Sequence, residues 1–176
     1  GFLTSQVDPH VYSSLGALFD EPFWVFYNKD AFAGEPVRYL SQLQGKRVAV
    51  GLPGSGSQAL ALQLLADSGV SAENTTLREL PRQTETAQML SGELDAVLLL
   101  DAYQSDAVQT LLRAPSIALA NLAQDGAYAA RQPALKVVDV PAGIFDLAKN
   151  IPGDDAQLLA STANLVIRRD LNPTLA

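Results

Sequence analysis

The residues best suited to chemistry are four consecutive small ones in a glycine-rich turn, Gly54, Ser55, Gly56 and Ser57. An apolar, strand-like run precedes the turn and a helix-like run follows it. The free N–H groups and the dipole at the start of a helix favour an anion, and glycine lets backbone approach a ligand closely. The serine hydroxyls add donors, although Ser57 is also a candidate N-cap. The turn therefore predicts a site for a carboxylate or phosphate, with a plain capped turn as the alternative.

Two nucleotide-binding motifs can be compared with this turn, and neither fits it. A P-loop requires Lys followed by Ser or Thr after its last glycine, whereas Ser57 and Gln58 stand there. The dinucleotide fingerprint requires two more residues between its second and third glycines than the turn contains. The sequence therefore does not support a nucleotide site.

Asp101 and Tyr103 follow the apolar run from Val97 to Leu100. Ligands of open α/β sheets bind outside the carboxyl ends of the strands, so we expect both residues to lie at the same edge as the glycine-rich turn. The Asp101 carboxylate would either accept a hydrogen bond from a ligand amine or cap the next helix. The sequence leaves these two roles open.

Hydrolytic and metal chemistry have little support in the sequence. The single histidine, His10, lies in an irregular segment beside Asp8, and a Ser-His-Asp triad would have to recruit it from a distance. Cysteine is absent, which excludes disulfides and thiolate metal sites. The acidic pair Asp154 and Asp155 matches no catalytic motif and is typical of a turn. We expect no catalytic residue, no metal site and no cofactor, and the protein is predicted not to be an enzyme.

The composition favours one water-exposed domain. At 48% hydrophobic content, 176 residues can bury one substantial core. The net charge is -7 and the 12 basic residues are scattered, so nucleic acid is not an expected partner. No apolar run approaches the roughly 18 residues of a membrane span. Because Gly1 stands where Met would and Asn172 and Pro173 resemble a helix start, we expect a piece of a longer protein, and the sequence leaves open whether a leader or an anchor was removed at either end.

Alternating apolar strands and amphipathic helices predict an α/β fold with a mostly parallel, doubly wound sheet and helices on both faces. Residues 1–20 are predicted to be an irregular lead-in with one helical turn near 11–18. The predicted strands are 23–27, 46–51, 75–80, 96–100, 117–119, 135–140 and an extended segment at 158–167. The predicted helices are 57–68, 84–91, 105–113 and 122–131.

Several segments, taken in order, resemble the second lobe of TAXI-type solute receptors of TRAP transporters, within the periplasmic binding protein type 2 superfamily. The resemblance extends from about Ser14 to the end of the chain. It rests on the segments EPFWVFY at 21–27, LQGKRVAVG at 43–51, GSGS at 54–57, SGELDA at 91–96 and NLVIRRDL at 164–171.

The resemblance implies one lobe of a two-lobed clamshell that closes on a solute, which often carries a carboxylate. Residues 21–170 would form the lobe, with 1–20 as a lead-in or remnant of the other lobe, 171–176 as the start of a further helix, and hinge strands near 21–27 and 158–167. The solute would contact Gly54, Ser55, Gly56, Ser57, Asp101 and Tyr103.

The expected ligand is a small organic anion or an amino acid. A membrane permease is a candidate protein partner. The expected location is periplasmic or otherwise extracytoplasmic, with an anchor possible in the full-length protein, and the oligomeric state stays open. A ligand-sensing regulatory or protein-interaction domain on the same fold is the main alternative. An enzyme of the deaminase or phosphate-transfer kind on a similar fold comes third.

Overall fold

The computed structural model describes the backbone of residues 2–3 and 12–168 and the side chains of residues 20–161. The strands are β1 (Phe2–Leu3), β2 (Tyr12–Asn28), β3 (Arg47–Ala49), β4 (Thr76–Arg78), β5 (Ala96–Leu100), β6 (Ile117–Leu119), β7 (Leu135–Val140) and β8 (Ala156–Arg168). The helices are α1 (Gly56–Asp67), α2 (Arg82–Ser91), α3 (Asp106–Arg113) and α4 (Asp125–Arg131). Two short 3-10 helices, Lys29–Phe32 and Leu40–Leu43, precede β3.

The strands form one sheet in the order β1-β8-β2-β5-β3-β4, with β6 beside β2 and β7 beside β8. Strand β3 runs parallel to β4 and β5, whereas the other pairings of the described strands are antiparallel. The predicted α/β class is confirmed, but the sheet is mixed and not mostly parallel. The reason is that β7 and β8 are joined without a crossover helix, and the long strands β2 and β8 run side by side in opposite directions.

Strand β2 is much longer than the predicted strand at 23–27. It pairs with β8 from Tyr12 opposite Arg168 to Phe23 opposite Leu159, with irregularities after Ser14 and Ala17. The helical turn predicted near 11–18 is therefore wrong for 12–18, because ladder hydrogen bonds to β8 satisfy this backbone in extended form. The extended segment predicted at 158–167 is confirmed as β8. His10 and the predicted helix start at 172–173 lie outside the described residues.

The sheet carries a hydrophobic core on each face. Side chains of β2 alternate between the faces, so that Phe23 and Val25 enter one core while Trp24 and Phe26 enter the other. Helices α1 and α4 cover the first face, and α2 and α3 cover the second. Helices on both faces, as predicted, are thereby confirmed, and the carboxyl ends of β3, β4 and β5 are left at one open edge.

The opposite edge is fixed by an ion pair between Arg47 and Asp95. The Arg47 side chain donates to Asp95 over 2.7 Å, and its backbone N–H donates to the same carboxylate over 2.8 Å. Burial alone would raise the pKa of Asp95, but these hydrogen bonds outweigh burial and hold the pKa below its ordinary value. Gly92 ends α2 in the left-handed conformation, which glycine adopts without strain, and thereby directs the chain into β5.

Candidate functional site

The glycine-rich turn lies between β3 and α1, as the sequence predicts. Ser55 is the N-cap of α1: its Oγ accepts from the backbone N–H of Gln58 over 3.1 Å and donates to the Leu52 carbonyl over 2.7 Å. Gly51 has φ +90°, and a Cβ there would lie 3.3 Å from the Ser55 Oγ, so the tight start of the turn requires glycine. Ser57, the N-cap candidate of the sequence analysis, lies inside the helix, so that assignment is wrong.

Ser57 has a structural partner. Its side chain is 7% exposed, and its Oγ accepts a hydrogen bond from the backbone N–H of Leu100 over 2.9 Å. Because both serine oxygens are engaged within the protein, the turn offers a ligand mainly its backbone. The N–H groups of Gly56 and Ser57, the first two residues of α1, have no carbonyl partner within the helix. Gly54 is exposed, with open space around it.

A cavity of about 330 Å³ opens beside the first turn of α1. The residues that line it include Gly56, Leu100, Leu135 and Ser161. This volume suits a small molecule, because ligand pockets begin at about 300 Å³. The cavity therefore brings the glycine-rich turn and the end of β5 to one concave surface.

Arg131 and Gln132, at the end of α4, supply polar groups to this cavity. Arg131 is exposed and positively charged. The Nε2 of Gln132 is buried and has no hydrogen-bond partner among the described residues. The sequence analysis missed both residues. Their approach to α1 depends on the pairing of Leu135 with Ser161, for which no local motif exists.

Asp101 lies at the predicted edge, immediately after β5. Its Oδ1 accepts from the backbone N–H of Ala102 over 2.8 Å. It does not cap α3, because the N-cap is Ser105, whose Oγ accepts from the N–H of Val108 over 3.2 Å. Of the two roles left open by the sequence, the capping role is therefore wrong, and hydrogen bonding to a ligand amine stays a prediction.

Tyr103 packs on the other face of the sheet. Its ring contacts Trp24 edge-on, with centroids 5.6 Å apart, and lies 5.9 Å from the ring of Phe145. Burial, and then the charge of Asp20, raise the pKa of the Tyr103 phenol. Tyr103 thus belongs to an aromatic group under the edge and is separated from the cavity by the sheet.

A group of charged side chains, here called the edge cluster, consists of Glu21, Arg82, Glu85 and Asp101. The Arg82 guanidinium lies 3.5 Å from the Asp101 carboxylate and 3.6 Å from that of Glu85. Burial raises the pKa of Glu85, which is 1% exposed. Burial, and then the charge of Asp101, raise the pKa of Glu21. The sequence identified only Asp101, because the other three carry no motif.

Two other kinds of site have no candidate among the described residues. Among residues 20–161, whose side chains are described, no three His, Cys, Asp or Glu side chains are arranged to hold a metal ion. No helix in the described part of the chain is long and apolar enough to cross a bilayer. A second cavity, of about 580 Å³, opens at the opposite edge between Arg38, Pro115 and Asp155, and none of the predicted site residues lines it.

Comparison with protein families gives one match. Residues 12–176 match the model described as the NMT1-like family. No curated protein matches the chain.

Three solved structures share the fold at low sequence identity. The first is the regulatory domain of CcmR from Synechocystis PCC6803 in complex with 2-PG (13% identity, 92% of this chain and 62% of that chain, TM-score 0.54). The second is the amino acid ABC transporter substrate-binding protein AbpA from Streptococcus pneumoniae bound to L-arginine (17%, 95% and 53%, 0.52). The third is the regulatory domain of MetR, a LysR family regulator from N. meningitidis (13%, 96% and 62%, 0.54). The chain thus spans 53% to 62% of these structures and has the periplasmic binding protein type 2 fold.

Proposed function

The chain belongs to the NMT1-like family, and we propose that it is one lobe of a two-lobed receptor that binds a small carboxylate-bearing solute at the first turn of α1. The observation that carries this proposal is the cavity of about 330 Å³ between Gly56, Leu100 and the end of α4. It lies outside the carboxyl end of β5, where open α/β sheets bind ligands.

The anion would be held by backbone and side-chain donors together. The N–H groups of Gly56 and Ser57 and the α1 dipole favour negative charge at this point. Arg131, which lines the cavity, adds a guanidinium. Gly54 and Ser55 would then shape the turn more than they contact the solute. Leu100 and Leu135 would pack against its apolar part.

The second lobe would close over this cavity. Strands β2 and β8 continue their pairing to Tyr12 and Arg168, as expected of hinge strands. Under this proposal residues 21–170 form the lobe, residues 1–20 are a lead-in or a remnant of the other lobe, and residues 171–176 begin a further helix. The chain's 53% span of the arginine-bound AbpA structure supports this division.

A TAXI-type receptor of a TRAP transporter is the finer form of the proposal. The order of the segments at 21–27, 43–51, 54–57 and 91–96 supports it. Such a receptor would act in the periplasm or another extracytoplasmic space and deliver its solute to a membrane permease. Binding without catalysis is the proposed role, and the resemblance of the fold to a transporter's substrate-binding protein supports it.

A ligand-sensing regulatory domain is the second candidate. The resemblance to the CcmR and MetR regulatory domains favours it, with TM-scores of 0.54. Both candidates use the same cavity, so they differ in what the solute controls. A DNA-binding module in the full-length sequence would favour the regulator, and solute uptake that depends on the protein would favour the receptor.

A thermal-shift screen of the full-length protein tests the proposal. The probes are small carboxylates, amino acids, taurine as a sulfonate, and inorganic phosphate. A bound solute raises the melting temperature by mass action, so at least one carboxylate should do so. Arg131→Met should reduce that shift. Arg38→Met removes the same charge from an exposed side chain at the opposite cavity and should not. No shift with any probe, or an equal shift in Arg131→Met, would contradict the proposal.

A further inference from the structure

Asp125, the first residue of α4, holds a buried carboxyl group that has no partner among the described residues. The residue is 3% exposed, and neither carboxylate oxygen has a hydrogen bond. Native proteins rarely leave buried polar atoms unsatisfied, and a buried charge without a partner is more costly still. Asp125 therefore occupies this position at low cost only while its carboxyl group is protonated.

Apolar side chains surround this carboxyl group. Strands β2 and β8 and the connection from β6 to α4 enclose it with Phe23, Val25, Ala120, Leu122, Leu158 and Leu159. Burial is the sole cause of the raised pKa of Asp125, so no charged side chain of the described residues compensates the carboxylate. Its ionisation therefore requires water to reach it, and the surroundings admit none unless α4 moves.

The elements around Asp125 supply no cation to it. On the face of the sheet that α4 covers, the other titratable groups of these elements are Glu21 and Tyr27 on β2, Asp139 on β7 and Tyr128 on α4 itself. The Tyr128 hydroxyl is hydrogen-bonded to that of Ser68 over 2.5 Å, and the Asp139 carboxylate accepts from Gln157 over 2.9 Å. Arg131, the single cation of α4, lies at the other end of the helix.

Helix α4 is attached to the sheet by few side chains. Of its seven residues, Asp125 and Tyr128 are the buried ones, so the carboxyl group is one of two anchors. Elements with few buried contacts open at a low free-energy cost. Arg131, the last residue of α4, lines the solute cavity. Because seven residues of helix span only about 10 Å, a shift of the start of α4 displaces Arg131 as well.

We propose that Asp125 is a proton switch for the solute cavity: when protonated it holds α4 against the sheet, and when ionised it releases the start of α4 and withdraws Arg131. This inference rests on the proposed function and adds its regulation. Coupling between two sites is reciprocal, so a solute that binds Arg131 also favours protonation of Asp125. Solute binding is then accompanied by proton uptake.

The direction of the pH effect follows from the two positions of α4. With α4 released, the pKa of Asp125 returns toward its ordinary value of 3.8, whereas burial in the docked position raises it to about 7. Protonation therefore favours the docked position most strongly below about pH 4, and this advantage is lost as the pH rises to about 7. The affinity for a solute should fall over the same range, by at most about tenfold per pH unit, and level off above it.

Calorimetric titration of the full-length protein at about pH 6 and about pH 8 tests the switch. The probes are L-glutamate, L-lactate and pyruvate, whose carboxylates stay ionised at both pH values. For a probe that binds, we expect the affinity to be at least about threefold weaker at the higher pH. At the lower pH, the binding enthalpy should change with the ionisation enthalpy of the buffer, because protons are taken up. Asp125→Asn should abolish both effects, since an amide does not titrate.

Asp106→Asn is the control, because it removes one negative charge from an exposed residue in the first turn of α3. It should retain both effects. Hydrogen exchange without solute gives a second readout. After correction for the intrinsic rate, amides 126–131 should exchange faster at about pH 8 than at about pH 6, and Asp125→Asn should remove this difference.

The outcomes separate the switch from the receptor. A probe that binds with the same affinity at both pH values and without proton uptake would overturn the switch but not the receptor. So would a pH dependence that survives in Asp125→Asn. If no carboxylate binds, the proposed function fails and the switch fails with it.

Discussion

The indole N–H of Trp24 donates a hydrogen bond to the backbone carbonyl of Asp101 over 2.9 Å. Trp24 is fully buried in β2, and Asp101 is the first residue after β5. The bond therefore connects the proposed hinge strand to the strand end that carries the edge cluster. The Trp24 ring also contacts Tyr103 and Phe145 on the face of the sheet that α2 and α3 cover.

Trp24→Phe should destabilise the protein by about 2–4 kcal/mol, because it deprives the Asp101 carbonyl of this donor and leaves a void in the core. Urea unfolding followed by circular dichroism measures the change, since the variant lacks the only tryptophan. A loss of stability below about 0.5 kcal/mol would contradict the prediction that this hydrogen bond and the packing of the indole stabilise the fold.

Ser57→Ala should cost about 1–3 kcal/mol of stability, because it leaves the buried N–H of Leu100 without its acceptor. Ser55→Ala removes the N-cap of α1 and should cost about 1 kcal/mol. Ser55→Gly should cost only a few tenths of that, because glycine is tolerated at N-caps. Urea unfolding of the three variants gives the order. An equal cost for Ser55→Gly and Ser57→Ala would contradict these assignments.

Elements with strong local signals were predictable from the sequence. The strands 96–100, 117–119 and 135–140 have the predicted bounds because each is a short apolar run bounded by polar or turn residues. The start of β2 was not predictable, since the stretch from Ser13 to Gly16 shows no alternation, and its pairing with β8 makes it a strand. Long-range pairing of this kind also made the sheet mixed.

The candidate site likewise contains residues that the local sequence predicts and residues that only the tertiary fold brings there. The glycine-rich turn could be recognised because a local sequence builds it between a strand and a helix. Arg131 and Gln132 could not, because the end of α4 reaches the turn only through the tertiary fold. Arg82 and Glu85 form an i,i+3 pair in the first turn of α2, which in sequence resembles an ordinary solvated helix face. Only the tertiary fold buries Glu85 and brings the backbone of Gly51 against its carboxylate.

Arg82→Met should destabilise the protein by about 1–3 kcal/mol, because it leaves the Glu85 carboxylate buried without its cation. The expected cost is below that of a fully buried pair, since a third of the Arg82 side chain is exposed. The loss should be larger at about pH 8 than at about pH 5, because burial raises the pKa of Glu85 and protonation removes the unpaired charge.

Arg82→Met combined with Glu85→Leu should recover much of that stability, since an apolar pair of similar volume avoids the buried charge. Urea unfolding of the single and double variants at both pH values forms the test. A double variant less stable than Arg82→Met alone would show that the Glu85 charge is not the source of the cost.

Asp125 should make stability fall as the pH rises. The residue is 3% exposed, both carboxylate oxygens lack partners among the described residues, and burial raises the pKa from 3.8 to about 7. The folded state therefore binds a proton that the unfolded state releases above about pH 4. The contribution of this proton to the free energy of unfolding is fully present below that pH. It decreases by about 1.4 kcal/mol per pH unit up to about pH 7.

Asp125→Asn isolates this effect, because an amide does not titrate. Its stability should approach or exceed that of the unmodified protein as the pH rises from about 4 to about 8. Urea unfolding across that range measures the difference, with Asp106→Asn as the exposed counterpart in the first turn of α3. An unchanged difference between Asp125→Asn and the unmodified protein at all pH values would show that Asp125 is ionised without cost.

Hydrogen exchange of the full-length protein, with and without saturating small carboxylates, tests the central claim most directly. The proposed function predicts that a bound solute slows exchange at the start of α1, at Gly56 and Ser57, and in the segment 131–135 that faces it. Amides that line the second cavity, near Arg38 and Pro115, should exchange at an unchanged rate. Slower exchange only at the second cavity, or no change at α1 with any carboxylate, would contradict the account.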